Sequence, residues 1–583
     1  MMFSARLRRT SRRGRSSAAL VFALAAAACV ADSGAGGGAR AELSPASGDT
    51  LSGNYLAARH AQAEKSDGVA ADFLLAALEK SPKDTLLLHR AHNALLSDGR
   101  AEEAAALAHR YIALEQIYEL PFITVASDDI KHARYGAVAG HLMADGLLTP
   151  SLGVILRAWA QQGLGRTDEA LTTLKALKTK GAGGEDLYEL HAALIADAAG
   201  RKQAAAEHAR AAAAGPGVPP MRTVHLAGTI LARAGHVDEA EALYVEMAKK
   251  YDPDQVAALL DLVRTKPAGL APAGPVMGSP AGGAAEALFE AAGALARADQ
   301  REQSLMLGML GLYLKPNLPI LQMFVAELLD QADRHEDANR MYASVDRASP
   351  LSWQARLFRA ENLNRMERFQ EAEKELRAMA AERPEDPQPM LVLGDMLRQR
   401  ERYAEAIAVY DEAISLKEPL PPQYWRVLYA RGIALERAKQ WDRAEADFLR
   451  ALQFEPDQPL VLNYLGYSWV EQGTNLDRAQ EMIRRAVELR PNDGFIVDSL
   501  GWVYYRLGKY PEAVVQLERA VELQPEDPVI NDHLGDAYQA VGRQREARFQ
   551  WSAALGLSPE PQLKAELERK LQGIIKEANA LGR

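Results

Sequence analysis

Few residues of this chain have the chemistry to react or to coordinate. Cys29 is the only cysteine among 583 residues, so no intramolecular disulfide and no cysteine-based metal site can form. His89-x-x-His92 sets two imidazoles on one helix face, a spacing that metal ligands use, but no third ligand stands in register. Packed or solvated histidines are the expectation there. Glu102-Glu103 and Asp238-Glu239 are adjacent carboxylates of the kind that acid–base catalysis employs, yet neither pair has a base or nucleophile in view. Each sits at a helix start, where acids are normally solvated. No phosphate-cradling G-x-x-x-x-G-K-[ST], G-x-G-x-x-G after a strand, H-E-x-x-H or G-x-S-x-G occurs. The sequence thus predicts no catalytic residue, no cofactor, no metal, no small-molecule substrate and no enzyme. Ten of the twelve histidines precede residue 240, which the sequence does not explain.

The elements that carry these residues begin with an address. Six arginines (Arg6, Arg8, Arg9, Arg12, Arg13, Arg15) and no acid lead into the apolar run Ala18–Ala28. Eleven residues cannot span a bilayer, which takes about 20, but suit the core of a signal peptide. Ala26-Ala27-Ala28-Cys29 resembles a bacterial lipobox, with Ala26 where those motifs usually carry Leu. The resemblance implies removal of residues 1–28, acylation of Cys29 and a flexible tether over 29–50. With Val30 rather than Asp after the cysteine, it implies the outer membrane. The alternatives are plain cleavage after Ala31 or Ala41, giving a soluble periplasmic protein, or a cytoplasmic protein. Beyond this head, 62 basic residues face 78 acidic ones, near −16, which argues against nucleic acid or an anionic membrane face as the main partner.

From residue 51 onward one pattern recurs with a period near 34. In its clearest copies a Leu-Gly (465–466, 500–501, 534–535) precedes an aromatic (Trp469, Tyr504, Tyr538). Then follow an alanine (479, 513, 547), a large residue (Ile483, Leu517, Trp551), a second alanine (486, 520, 554) and a proline (491, 525, 559). This is closely similar to the tetratricopeptide-repeat (TPR) consensus of two antiparallel helices, A and B. The small residues belong where A meets B, the large ones fill the remaining space, and the proline ends helix B. One pair cannot bury its apolar stripe alone, so pairs stack. The small helix-B residue is traced through Ala70, Ala104, Ala137, Ala170, Ala204, Ala240, Ser304, Ala338, Ala372, Ala406, Ala444, Ala479, Ala513 and Ala547, giving 14 repeats. Those at 118–150 and 285–318 match weakly, and His92 occupies a position that wants Gly or Ala.

The fold class is therefore all-α: a TPR solenoid, a right-handed superhelix of stacked helix pairs. Residues 266–284 are rich in Pro, Gly and Ala and pack no core. They read either as a linker between blocks at 51–265 and 285–559 or as a surface loop of one superhelix. Residues 560–583, with Leu563, Leu567 and Leu571 at helical spacing, read as a capping helix.

A TPR groove is lined by helix-A positions which here hold Asn463, Asp498 and Asp532, then Tyr467 and Trp502, then Tyr505. These are the predicted partner-binding residues, as amphipathic aromatics commonly anchor a bound chain. The opposing expectation is that the aromatics pack between helices. Signal, cysteine, tether and repeats in that order resemble TPR lipoproteins of Gram-negative envelopes, among them the outer-membrane lipoprotein that activates a carboxyl-terminal processing protease. That resemblance implies an adaptor on the periplasmic side, bringing a protease and peptidoglycan-remodelling enzymes together. The alternatives are an assembly or secretion factor for envelope polysaccharide or pili, or a cytoplasmic TPR regulator.

Overall fold

The computed structural model describes residues 50–114, 119–140, 151–179, 184–215, 217–251, 256, 259–261, 263–264 and 274–580. Cys29, its signal, residues 29–49 of the tether and residues 266–273 of the Pro/Gly/Ala-rich stretch lie outside them. The described residues form helices and short turns, without a strand, and successive helices pack as antiparallel pairs. The all-α solenoid is thus the fold.

Each pair is built the same way. Helix A ends on a residue in the left-handed region, Gly508 at φ 72° or Lys439 at φ 60° for example. The next amide then closes back on helix A: Lys509 N donates to Tyr504 O at 2.9 Å and Gln440 N to Leu435 O at 2.8 Å. This six-to-one closure satisfies carbonyls at the helix end and aims the chain into helix B. Five residues after that left-handed residue comes the contact point with helix A, where Ala104, Ala170, Ala240, Ala338, Ala406 and Ala513 are all 0% exposed.

Two of the traced positions are displaced by one residue. Ala137 is exposed and Val138 is buried; Ala204 is half-buried and Ala205 is buried. The turn sets the register, from Ala133 (φ 57°) and Gly200 (φ 74°). In alanine-rich stretches the residue types alone cannot distinguish neighbouring positions.

The chain divides into two compact units at Arg359/Ala360. In the first, six helix pairs run from Leu51–Ala63 with Asp67–Lys80 to Met221–Ala234 with Val237–Met247. The pair Pro280–Arg297 and Arg301–Leu314 does not simply extend this row. It packs back on the A helices Thr85–Ser97, Glu119–Lys131, Leu152–Gly163 and Gly184–Ala198. Gly283 comes so close to the fully buried Trp159 that a Cβ there would lie 2.0 Å from the indole. Polar contacts fix the seat: Arg222 pairs with the wholly buried Glu286 at 2.8 and 2.7 Å, His191 Nε2 lies 3.0 Å from Glu290, and Tyr313 OH donates to Asp128 at 2.8 Å. The helix-A side of this unit is therefore occupied by its own chain. In the second unit, helix pairs continue to Gln544–Gly556, and helix Pro561–Ala580 buries Leu567 in the cluster that holds Trp551 and Ala547.

Two of the early histidines are structural. His92 is buried, its Nε2 3.0 Å from Thr124 Oγ1, and burial lowers its pKa to about 4. His191 Nδ1 accepts from Trp159 Nε1 at 3.2 Å. The adjacent acids are helix-start partners: Glu103 bonds Arg100 at 2.7 Å and Glu239 bonds Arg210 at 2.6 Å.

Candidate functional site

The predicted site residues lie on three consecutive A helices: Pro459–Gln472, Gly494–Arg506 and Pro528–Ala540. Side-chain caps start all three: Gln458 Oε1 accepts from Leu460 N at 3.2 Å. Asp493 Oδ1 accepts from Ile496 N at 3.4 Å, and Asp527 Oδ1 accepts from Val529 N and Ile530 N at 2.9 and 3.0 Å. Proline occupies the first position at 459 and 528, where no amide donor is needed. Each helix then meets its own helix B at a glycine. A Cβ on Gly466 would lie 2.7 Å from Ile483, one on Gly501 2.5 Å from Leu517, and one on Gly535 2.4 Å from Trp551. The large helix-B residues read from the period are the ones that fill these contacts, so they set how closely each A helix approaches its own B helix.

Above that core stands a stack of rings. Trp502 and Tyr505 lie face to face, centroids 4.8 Å apart at 9°, and Trp502 also stacks on His533 of the next helix at 4.1 Å and 16°. Trp502 Nε1 donates to Glu471 at 2.7 Å, and Arg506 approaches the same oxygen at 3.1 Å. Trp502 and Tyr505 are half-buried, so each keeps part of its surface in solvent. Tyr467 is also half-buried, and burial raises its hydroxyl well above the ordinary pKa, Glu471 and Asp498 adding to the effect. Asn463 Oδ1 is buried without a hydrogen-bond partner.

The two aspartates act within the protein. Asp498 is buried and holds His533 Nδ1 at 3.0 and 3.1 Å. Burial opposes charge on that imidazole, but Asp498, with Asp532 and Asp536 near, raises its pKa above the ordinary value. Asp532 is buried against Lys570, 2.8 Å away, which also meets Asp536 at 2.8 Å. Burial, then Asp536, lifts the Asp532 carboxyl above the usual range, with Lys570 opposing. Asp498 thus holds His533 in the stack, and Asp532 holds Lys570. Sequence reasoning missed His533, which lies one place beyond the groove position, and Lys570, which lies outside the repeat altogether.

The arrangement offers a rigid, amphipathic surface with no nucleophile–base pair among its residues. Family models agree with its repeat. One for "TPR repeat" matches residues 501–542, and one for "Tetratricopeptide repeat" matches 360–423 and 391–459. These segments are tetratricopeptide repeats. TPR repeats imply a scaffold for protein–protein interaction, and no catalytic family is indicated. No curated protein matches the chain significantly. Solved structures similar to it include YrrB, a TPR protein with an unusual peptide-binding site, at 21% identity over 33% of this chain and 97% of that one, TM-score 0.27. TTC0263 of Thermus thermophilus shares 22% identity over 32% of this chain and 99% of that one, TM-score 0.28. A TPR protein of Parabacteroides merdae shares 15% over 49% and 98%, TM-score 0.33. Scores at this level say nothing of a partner.

Proposed function

We propose that the A-helix face of the second unit, centred on Trp502 and Tyr505, captures an extended segment of a partner protein. The Trp502–Tyr505–His533 stack carries this reading. Its rings are already ordered by Glu471 and Asp498, so binding costs little further side-chain entropy. The corresponding side of the first unit favours the same choice, because residues 280–314 pack there.

The leader sequence supports a place for this scaffold in a bacterial envelope. In that reading Cys29 carries lipid, the tether of about 22 residues holds the first repeat roughly 25 Å from the anchor, and the repeats face the periplasm. An adaptor that brings a periplasmic protease or peptidoglycan-remodelling enzymes to the membrane fits this order of parts. The full-length chain, used as bait on solubilised envelope, retains its partner. Trp502→Ala with Tyr505→Ala loses it at unchanged helical circular dichroism, because each truncated anchor costs about 2 kcal/mol or more. Retention by the double variant refutes the site. Cys29→Ser should release the protein from the membrane fraction; a wild-type chain that is soluble and takes no fatty-acid label refutes the anchor.

A further inference from the structure

The block that carries the aromatic stack is strongly acidic. Residues 451–540 hold fifteen Asp and Glu against seven Lys and Arg, whereas residues 360–450 hold eighteen against fifteen. Carboxylates outnumber cations at the stack as well. Three of them surround the one ammonium of Lys570: Asp532 and Asp536 at 2.8 Å and Glu566 at 3.4 Å. His533, on which Trp502 stacks, directly follows Asp532, and Tyr505 packs against the cluster that holds Trp551, the hydrogen-bond donor to Asp536. Glu471, the acceptor for Trp502 Nε1, has Arg506 as its cation. Asp532 is buried, but the Glu471 and Glu566 side chains are 46% and 45% exposed, so an incoming group reaches them.

Apolar groups continue the same surface. Phe495 and Trp502 stand seven residues apart on one face of helix Gly494–Arg506, and Phe495 is exposed. Val529, also exposed, holds the corresponding place one repeat on. The exposed Tyr510 meets the Tyr505 ring at 5.4 Å and 59°. Other rings of this unit already hold cations over their faces: Arg543 lies 4.1 Å from the centroid of Tyr538 and Arg478 5.1 Å from that of Trp469.

We infer that the face centred on Trp502 and Tyr505 takes a basic segment of the partner polypeptide, in which lysines or arginines alternate with apolar residues. The cations meet Glu471, Glu566 and the open rings of Tyr505 and Tyr510, while the apolar side chains cover Phe495 and Val529. Charge complementarity selects this occupant. The surplus of carboxylates attracts a cationic chain from a distance and repels an acidic one, which gives both a faster encounter and a choice of partner. An extended chain sends successive side chains to opposite sides, so alternate residues serve the acids and the apolar groups without a helix having to form.

The basic preference rests on the reading of the A-helix face as protein-binding, and its test separates the two. The probes are capped, fluorescein-labelled peptides that alternate leucine with lysine, with glutamine or with glutamate, bound to the full chain and read by anisotropy. The lysine peptide should bind tightest and the glutamate peptide not at all, with affinity for the lysine peptide falling as salt rises. Glu471→Gln and Glu566→Gln should each weaken the lysine peptide about threefold, the effect of one exposed charge pair, and leave the glutamine peptide unchanged. Glutamine at 471 still accepts from Trp502 Nε1, so the ring keeps its place and only the charge is removed. Asp168→Asn with Asp299→Asn, which neutralises two exposed acids of the first unit, should have no effect. Trp502→Ala with Tyr505→Ala should lose the lysine peptide. Equal binding of the three peptides, wild-type affinity in the Glu471→Gln and Glu566→Gln variants, an equal loss from the Asp168→Asn and Asp299→Asn pair, or undiminished binding without the two aromatics overturns the basic preference. Partner capture that still depends on Trp502 and Tyr505 in those cases leaves the wider reading standing.

Discussion

Gly535→Ala is the sharpest test of how the candidate site is supported. The new Cβ would lie 2.4 Å from Cδ1 and 2.4 Å from Nε1 of Trp551. Trp551 is 4% exposed, packed among Ala547, Ala554, Leu534 and Leu567, so the ring has no free direction in which to move. Overpacking of this kind costs about 1–3 kcal/mol. Displacing the indole also breaks its 3.1 Å hydrogen bond to Asp536, worth about 1 kcal/mol. Alanine recovers about 1 kcal/mol of helix propensity, so the net loss is about 1–3 kcal/mol. Gly573→Ala is the matched control: that glycine is helical with nothing within 4 Å of its Cβ, and the change should stabilise by up to about 1 kcal/mol. A repeat array need not unfold in one step, so the readout is hydrogen exchange of peptides covering 528–556. Exchange faster by about fivefold or more is expected for Gly535→Ala. Wild-type protection, or a destabilised Gly573→Ala, would refute the packing argument.

Other expected outcomes follow from the same geometry. Lys439 (φ 60°) and Glu401 (φ 60°) hold left-handed turns that glycine adopts without strain, so Lys439→Gly and Glu401→Gly should each stabilise their repeat by about 0.5–1 kcal/mol, read by local hydrogen exchange. Arg222→Met leaves Glu286 buried without its cation; with Arg222 itself partly exposed, the loss should be about 2–3 kcal/mol, seen as faster exchange across 280–297. The pKa of His533 and that of Asp532 are both raised by folding, so the native state holds extra protons between the unfolded and folded values. The His533 contribution is complete below its unfolded pKa and is lost as pH rises through the folded one. Protection of 494–540 should therefore fall as pH rises through that window, at constant intrinsic exchange, and His533→Gln should flatten the fall.

The repeat was legible because its signals are local. Leu-Gly, aromatic, alanine, large residue and proline report contacts made within about 34 residues, and the Gly501–Leu517 and Gly535–Trp551 pairs lie within them. The register slips at Ala137 and Ala204 have the opposite cause: runs such as "QAAAEHA" offer several small residues, and only the turn geometry selects one. The seat of residues 280–314 was illegible, since its contacts join residues 64, 99 and 185 positions apart. At the site the aromatics could be placed by counting along helix A. The burial of Asp498 and Asp532 could not, because it depends on His533 and on Lys570 from the final helix.

The central claim is that the partner binds the A-helix face of the second unit, and a hydrogen-exchange comparison of the free chain with the captured complex tests it most directly. Protection should rise in peptides covering 459–472, 494–506 and 528–540, while residues 280–314 keep the protection they already have. Protection gained instead within 51–264, with residues 280–314 exchanging faster, would mean that the partner displaces that helix pair and binds the first unit, and would contradict the claim.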